Sequence, residues 1–332
     1  MKPSVLILLI ALLAPLGVRA ETLTVQLRGP ALAESAGFLW AQARGLYAAE
    51  GLDVTLLPAD DAPPFESLAR GVADLTVEWM PMALVARENG LRVVNVAQIL
   101  AQPAQRLTCR REAGVETAAD LRGKTLANTF RGTEYPLLAW LNRLGLKPDD
   151  SLSGVALLAQ WPGAAGGAEM LRHHQAACAT TLAYDPLPGD GLVVLDPATE
   201  GTATLEDGLY ALPATLADPQ AQDRLARFLR ASMKGWHEAV ADPEAAAGLI
   251  LGPDPDAGAL HRQAAMIEAI GPLLSPSGAL DEDDYRRTVD ILRAGSGQAI
   301  LRRDPGDAFI AAVTTRMALP EAAASSTADA AP

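Results

Sequence analysis

The sequence predicts an α/β protein with doubly wound, mostly parallel sheets arranged in two lobes. Strand-like and helix-like patterns alternate from the start of the chain, and the alternation begins again near its middle. Successive βα units give parallel sheets, because each helix returns the chain to the same end of the sheet. The chain has 332 residues, whereas one domain usually holds about 100–200. Two lobes are therefore expected.

Composition and charge exclude several classes of protein. Hydrophobic residues make up 49% of the chain and charged residues 20%, which is unlike a disordered chain, a collagen-like fibre or a disulfide-dense miniprotein. Acidic side chains outnumber Lys and Arg by 40 to 27. Because this charge repels phosphate backbones and anionic lipids, neither a nucleic acid nor a membrane surface is expected as a partner.

The first 20 residues have the pattern of a secretory signal. Lys2 supplies a positive start, residues 5–13 are apolar, and Val18 and Ala20 occupy the positions that a signal peptidase reads. Cleavage is expected after Ala20. The alternative is a retained membrane anchor, which is disfavoured because spanning a bilayer takes about 20 apolar residues. Cleavage leaves 25 basic and 40 acidic residues, a net charge of −15.

The first part of the mature chain is predicted to be a run of βα units. Residues 22–27 alternate polar and apolar side chains, as a half-buried strand does. Residues 34–50 carry Phe38 and Tyr47 at helical spacing, and Gly51 ends this predicted helix. The further predicted strands are 52–57, 74–78 and 91–98, and the further helices are 63–70 and 82–88.

The second part of the chain repeats the alternation and then becomes helical. Its predicted strands are 107–111, 125–128, 154–159, 176–182 and 191–195, its predicted helices 134–143, 220–240, 243–251, 257–270 and 282–293. The glycine-rich segment 163–168 is predicted to be a flexible turn. Residues 322–332 are small and polar, and 319–332 are predicted to form a disordered tail.

Cys109 and Cys178 are the only cysteines in the sequence. In an oxidising compartment they could pair and close a long loop, or they could remain two buried, unreactive thiols. Their spacing does not distinguish these alternatives. It does exclude the CxxC pattern of redox and zinc sites.

Five segments of the sequence resemble one family. They are SAGFLWAQARGLYAAEGLDVTLLPAD, LARGVADLTVEWMPMALVARENG, VETAADLRGKTLANTFRGTEYPLLAWLNRLGL, TLEDGLYALPATLADPQAQDRLARFLRASMKGW and GALDEDDYRRTVDIL. In this order, across residues 22–315, the chain resembles the solute-binding proteins of nitrate, sulfonate and taurine importers and the related binders of thiamine-pyrimidine precursors.

The resemblance implies the type II fold of periplasmic binding proteins, with a ligand cleft between two lobes. Lobe one would comprise residues 22–108 and 205–318 and lobe two residues 109–204, with crossings at 105–110 and 197–205. A periplasmic monomer without cofactor or metal is expected. It would close on a pyrimidine precursor of thiamine, a sulfonate or taurine, nitrate or a similar compound, and present it to the permease and ATPase of an ABC importer.

Two places in lobe one are candidate ligand contacts. Ser35 and Gly37 open the helix after the first strand, where free backbone N–H groups can bind a ligand; an ordinary capped helix start is the alternative. Trp79 and Met80 end a strand before Pro81. A planar ligand could stack on Trp79, and packing of Trp79 in the core or between lobes is the alternative.

Gly132, Thr133, Glu134 and Tyr135 are the candidate contacts at a helix start in lobe two. Gly132 permits a close backbone approach, Thr133 can cap the helix, and Glu134 suits its positive end. The helix start follows from this pattern. Ligand contact by Thr133, Glu134 or Tyr135 is a further hypothesis.

Trp161, Tyr184 and Asp185 are also candidate ligand contacts. Trp161 follows a strand and could stack on a ligand or pack beneath Pro162. Relatives that bind the pyrimidine precursor resemble this chain at Tyr184 but continue with Asn and Glu, where it has Asp185 and Pro186. An ionised carboxylate accepts hydrogen bonds without donating any, so the ligand is expected to differ from that precursor.

Glu206 and Asp207, near the second crossing, are expected to brace the hinge rather than to bind a ligand amine. The sequence carries no catalytic signature: His173, His174 and the later His237 and His261 form no HExxH, and neither GxSxG nor GxxxxGK[ST] occurs.

Eukaryotic thiamine-pyrimidine synthases resemble the same family and are the enzyme alternative. They carry a cysteine-rich iron-binding segment and an active-site His, whereas this chain has two isolated cysteines and no His before His173. A binding protein without enzymatic activity is therefore expected. A ligand-sensing domain for a membrane kinase is the remaining alternative.

Overall fold

The computed structural model describes residues 20–59, 64–149, 151–295, 297 and 299–317. The predicted signal segment up to residue 19 and the predicted tail at 319–332 lie outside these residues. Within the described ranges, ten strands form two five-stranded sheets. None of the helices in these ranges is both long and apolar enough to cross a bilayer.

The first sheet combines strands from both ends of the chain. Its strands are β1 (Glu21–Gln26), β2 (Leu52–Leu57), β3 (Leu75–Trp79), β4 (Val94–Gln98) and β10 (Asp207–Ala211), in the order β2-β1-β3-β10-β4. β1 is parallel to β2 and β3, whereas β10 is antiparallel to β3 and β4. The sequence pattern predicts no strand at β10, because it opens with Asp and Gly, which are poor strand formers.

The second sheet repeats this arrangement with the central part of the chain. Its strands are β5 (Gln105–Arg110), β6 (Thr125–Asn128), β7 (Ala156–Ala159), β8 (Cys178–Leu182) and β9 (Leu192–Leu195), in the order β7-β6-β8-β5-β9. β6 is parallel to β7 and β8, whereas β5 is antiparallel to β8 and β9. We call the first sheet with its helices lobe one and the second sheet with its helices lobe two.

One reversed strand in each sheet marks the place where the chain changes lobes. β5 enters lobe two directly from lobe one, and β10 enters lobe one directly from lobe two. The other four strands of each sheet share one direction. The predicted α/β class with two lobes and mostly parallel sheets is therefore confirmed.

The chain passes between the lobes in two short segments. Gln105–Arg110 already pairs with β8 and β9, so the first passage lies between Gln98 and Gln105, ahead of the predicted 105–110. The second passage lies between Leu195 and Asp207.

Twelve labelled helices surround the sheets within the described ranges. They are α1 (Ala36–Ala43), α2 (Leu46–Ala49), α3 (Pro64–Ala69), α4 (Met80–Glu88), α5 (Glu134–Arg143), α6 (Ala164–Arg172), α7 (Pro213–Leu216), α8 (Pro219–Ala241), α9 (Pro243–Leu251), α10 (Ala257–Ile270), α11 (Glu282–Asp290) and α12 (Ala312–Met317). The predicted helix 34–50 is divided between α1 and α2 at Gly45, whose φ of 69° is left-handed.

The prediction of a flexible turn at 163–168 is wrong, because α6 begins at Ala164. The glycines of this segment allow close packing instead. A Cβ on Gly166 would lie 2.1 Å from the carbonyl oxygen of Trp161. A run of glycines indicates flexibility when it is considered alone. Here it lets α6 pack closely against the loop that precedes it.

Helix α8 packs closely against α1 in the core of lobe one. The Phe38 ring stacks on Phe228 and meets the edge of Trp236, with centroids 6.1 and 5.9 Å apart. A Cβ on Gly235 would lie 2.3 Å from the carbonyl oxygen of Gly37. These two glycines therefore set how closely the helices approach.

A disulfide joins Cys109 of β5 to Cys178 of β8, which lie directly opposite each other. Of the two alternatives that the sequence leaves open, the structure thus has the paired form. The two cysteines are 69 residues apart in the sequence, and the bond between them is fully buried in lobe two. A cross-link over a loop of this length removes freedom from the unfolded chain and stabilises the fold by about 4 kcal/mol.

Removing the cross-link with Cys109→Ala and Cys178→Ala together is expected to lower the free energy of unfolding by about 2–5 kcal/mol. Urea unfolding without reductant measures this difference. A reductant should destabilise the wild-type protein and leave the double variant unchanged. Equal unfolding midpoints for the two proteins without reductant would contradict the prediction.

Candidate functional site

A cavity of about 160 Å³ lies between the two lobes. It lies at the carboxyl ends of parallel strands, since Arg28 follows β1, Thr129 follows β6 and Leu182 ends β8. Ligands of open α/β sheets bind at this edge. Lobe one contributes Arg28, Gly29, Pro30, Glu34, Ala59 and Met266, and lobe two contributes Thr129, Arg131, Thr133, Pro162, Gly163, Thr180, Thr181, Leu182, Tyr184 and Asp185.

Arg28 is held in a fixed orientation at the wall of the cavity. Its Nε donates to Oδ1 of Asp207 at 3.0 Å, and its guanidinium carbon lies 4.7 Å from the centroid of the Trp79 ring. Burial alone would lower the pKa of Arg28, but the carboxylates of Asp207, Glu78 and Glu34 hold it above its ordinary value. The cavity therefore contains a permanent, oriented cation.

Trp79 and Met80 lie behind this wall and do not line the cavity. Trp79 is 1% exposed, and Arg28 covers its ring. Met80 is fully buried in the core of lobe one. The ring that sequence reasoning offers to a planar ligand thus supports an arginine in this structure.

At the start of α1, the residue that lines the cavity is Glu34. Ser35 is buried and makes no side-chain cap, and a Cβ on Gly37 would lie 2.1 Å from the Trp236 ring. Gly37 therefore serves helix packing. Burial raises the pKa of the Glu34 carboxyl, and the nearby Arg28 opposes that rise.

Of the four predicted residues around the start of α5, Thr133 lines the cavity. Gly132 lies against lobe one instead, and its amide donates to Oε2 of Glu134 at 2.9 Å. Tyr135 is 9% exposed and packs with core residues of lobe one such as Met80. This turn therefore contributes one side chain to the cavity and also joins the lobes.

Tyr184 and Asp185 both line the cavity, as sequence reasoning places them, whereas Trp161 does not. Trp161 is 83% exposed, and the two residues after it, Pro162 and Gly163, form part of the wall. Its side chain is therefore not packed beneath them.

Several polar residues of the wall are absent from the sequence-based candidates, among them Arg28, Thr129, Arg131, Thr180 and Thr181. Arg28 and the three threonines stand at or near the carboxyl ends of their strands, which is the signal that could have found them. Arg131 adjoins the predicted Gly132 turn. Nothing in its own local pattern distinguishes it from a surface arginine.

Glu206 joins the two passages between the lobes. Its Oε1 accepts hydrogen bonds from the amides of Ala104 at 2.9 Å and Gln105 at 2.8 Å. Gln98 donates to the carbonyl oxygen of Glu206 at 3.0 Å. Glu206 therefore acts as a brace at the hinge, while Asp207 pairs with Arg28.

Two buried carboxyls near the passages between the lobes have raised pKa values. Burial raises the pKa of Glu206 to about 7 and that of Glu78 to about 7. Hydrogen bonds from backbone amides oppose both shifts, among them one from Trp79 to Glu78 Oε1 at 2.8 Å. Protonation of both groups is therefore coupled to folding.

Gly132 is a contact point between the lobes, and Gly132→Ala should lower the free energy of unfolding. Its φ is 99°, and a Cβ would lie 3.3 Å from Met82 Cγ and 3.4 Å from Trp79 Cε3. We expect a loss of about 1–3 kcal/mol from backbone strain, increased by the close contact with lobe one and measured by urea unfolding.

Gly145→Ala is the matched control, because Gly145 also has a left-handed φ, of 67°, but has open space around its Cβ position. It should lose less stability, because only its backbone is strained. Equal losses for the two variants would show that a side chain at position 132 makes no destabilising contact with lobe one.

The buried carboxyls predict a pH dependence of stability. Glu206 titrates near pH 7 in the folded protein and near its ordinary value of 4.5 when unfolded. The folded protein therefore holds more protons between these values, and this contribution to the free energy of unfolding falls as the pH rises from about 4.5 to about 7.

Glu206→Gln should flatten this slope, and the exposed Glu244→Gln should leave it unchanged. Urea unfolding between about pH 5 and 8 measures both. Parallel pH profiles for Glu206→Gln and the wild-type protein would refute the assignment.

Three relatives share part or most of the sequence. A formylaminopyrimidine-binding protein of Halalkalibacterium halodurans is 24% identical over 263 residues, 75% of this chain and 78% of that protein. A Haemophilus influenzae protein named for thiamine biosynthesis is 29% identical over 119 residues, 35% of this chain and 38% of its own length. A 4-amino-5-hydroxymethyl-2-methylpyrimidine phosphate synthase of Schizosaccharomyces pombe is 26% identical over 111 residues, 33% of this chain and 32% of the enzyme.

Two solved structures share the fold. The alkanesulfonate-binding protein SsuA from Xanthomonas axonopodis pv. citri, bound to MOPS, superposes with a TM-score of 0.63 at 17% identity, covering 87% of this chain and 98% of that one. The periplasmic aliphatic sulphonate binding protein SsuA from Escherichia coli gives 0.60 at 18% identity, covering 82% and 85%. The predicted fold of periplasmic binding proteins is confirmed.

The family expected from the five sequence segments is also confirmed. A family model described as NMT1/THI5 like matches residues 33–246, which is more than half of the chain. The protein belongs to the NMT1/THI5-like family.

Proposed function

We propose that the protein binds a small molecule between its lobes and delivers it to the permease and ATPase of an ABC importer. The observation that carries this proposal is the cavity itself, to which both lobes contribute polar side chains at the carboxyl ends of their strands. A ligand that contacts both walls stabilises the closed arrangement of the lobes. The short passages near Glu206 provide the hinge for such a motion.

The names of relatives support a binding role. The Halalkalibacterium relative is named a formylaminopyrimidine-binding protein, and the Escherichia coli structure is that of a periplasmic aliphatic sulphonate binding protein. Candidate ligands are thus the pyrimidine precursor of thiamine, sulfonates such as taurine, and nitrate. The departure at Asp185 and Pro186 favours a ligand other than the pyrimidine precursor.

The proposed location is the periplasm, where the protein acts as a monomer. The charge and apolar pattern of the first 20 residues supports export with cleavage after Ala20. The Cys109–Cys178 disulfide fits an oxidising compartment.

A pyrimidine synthase is the second candidate, because the Schizosaccharomyces pombe enzyme aligns with a third of the chain. Among the residues that the structure describes, no His or Cys lines the cavity. His173 and His174 are exposed at the end of α6, where they contact Glu169 and Arg110. This placement favours binding over catalysis.

Isothermal titration of the mature protein with the pyrimidine precursor, taurine, alkanesulfonates and nitrate tests the proposal. One of these classes is expected to bind without being consumed and to lower the radius of gyration as the lobes close. Mass spectrometry of the recovered compound is the control for turnover. Conversion of a bound compound, or binding that leaves the lobes unchanged, would argue against a delivery protein.

A further inference from the structure

The charged groups of the cavity show what kind of ligand would complement them. On lobe one, the Nε of Arg28 is occupied by Asp207, at 3.0 Å. Its Nη1 and Nη2 groups make no hydrogen bond to any residue in the described ranges. Neither is among the buried polar atoms that lack a partner, so both remain accessible. A fixed guanidinium thus presents its outer N–H groups, the edge that binds carboxylate and sulfonate oxygens in pairs.

Glu34 lies beside Arg28 at the same wall but does not pair with it. The carboxylate folds over Gly29, where an added Cβ would lie 1.8 Å from Glu34 Oε1. Glu34 forms no ion pair or hydrogen bond through its side chain with the rest of the described chain. Lobe one therefore offers the two free Nη groups of Arg28 and the unpaired Glu34 carboxylate to the same cavity.

Lobe two contributes the same two kinds of charge. Arg131 is exposed at the cavity, without a side-chain partner among described residues, and its charge reaches Glu34. Asp185 lines the same wall. The cavity wall therefore carries groups of both charges.

Thr133 and Thr180 of lobe two offer hydrogen-bond acceptors rather than donors. The hydroxyl of Thr133 donates to Asn128 Oδ1 at 2.8 Å, and that of Thr180 donates to the Ala127 carbonyl at 3.2 Å. The hydrogen of Thr133 is thus in use, so Thr129 is the donor in the 2.7 Å contact between their hydroxyls. Their remaining lone pairs suit a ligand with N–H groups.

A ligand with only one charge would leave part of this wall unpaired. A simple anion would satisfy the arginines but face the Glu34 carboxylate, and a neutral ring would leave Arg131 and Glu34 without a partner. Partly buried charges are costly unless they are paired. The cavity of about 160 Å³ is also well below the roughly 300–1,000 Å³ of sites for drug-sized ligands.

We propose that the ligand is a small zwitterion, with its carboxylate or sulfonate held between Arg28 and Arg131 and its protonated amine held at Glu34. This inference rests on the proposed binding function and selects among its ligands. It makes Arg28, Arg131 and Glu34 the residues that determine specificity.

Titration of the mature protein with matched two-carbon compounds tests the inference. The zwitterions are 2-aminoethanesulfonate and 3-aminopropanoate, and the single-charge analogues are ethanesulfonate, propanoate and 2-aminoethanol. At least one zwitterion should bind about tenfold or more tightly than each of its analogues. The two zwitterions also distinguish a sulfonate from a carboxylate as the anionic group.

Variants assign the two ends of the ligand. Glu34→Gln should weaken the zwitterion about tenfold and leave its anionic analogue within about twofold, whereas Arg131→Gln should weaken both. Neither side chain has a partner within the described chain, so both variants should fold. The exposed Arg302→Gln removes the same charge away from the cavity and should change neither affinity.

The inference fails if neither zwitterion binds more tightly than its single-charge analogues, or if Glu34→Gln does not reduce the difference. Tight binding of nitrate or of neutral 4-amino-5-hydroxymethyl-2-methylpyrimidine in that case would leave the proposed delivery function standing. If none of the compounds bound, the result would count against both the zwitterion inference and the proposed delivery function.

Discussion

The buried pair between Arg28 and Asp207 is the interaction on which the site depends. Asp207 is the first residue of β10, directly after the chain returns to lobe one, and Arg28 follows β1. The pair therefore connects the hinge to the cavity wall. A buried ion pair costs desolvation energy and is stable only when its geometry and its further contacts are good. Here the Trp79 ring supplies such a contact, at 4.7 Å from the guanidinium.

The Trp79 ring also connects this ion pair to lobe two. Trp79 lies beneath Arg28 and also meets the backbone of Gly132, so one indole supports both the cation of the cavity and the contact between the lobes. Closer to the hinge, the passages leave amides outside regular sheet pairing, and buried amides need acceptors. Glu206 accepts from two of these amides, and Gln98 donates to carbonyl oxygens of the second passage, which explains why polar residues are buried there.

Local patterns in the sequence were sufficient for most strands and helices, and the resemblance of five segments was sufficient for the family. The expectations that proved wrong concern residues whose role depends on distant partners. Glycines at 163–168 indicate flexibility in isolation, and only the packing against Trp161 explains a helix there. Arg28 lies 179 residues from Asp207 along the chain, so its fixed orientation has no local signature. Thr133, Tyr184 and Asp185, which line the cavity, stand at a helix start and after a strand end, and such positions do have a local signature.

The disulfide gives lobe two a mechanical character. β5 begins at the hinge, where the amide of Gln105 is held by Glu206, and near its other end Cys109 is bonded to β8. β8 in turn ends in the cavity wall at Thr180 and Thr181. The strand that leaves the hinge and the strand that carries the wall are thus joined covalently, so a small rotation of β5 would also displace the threonines that line the cavity.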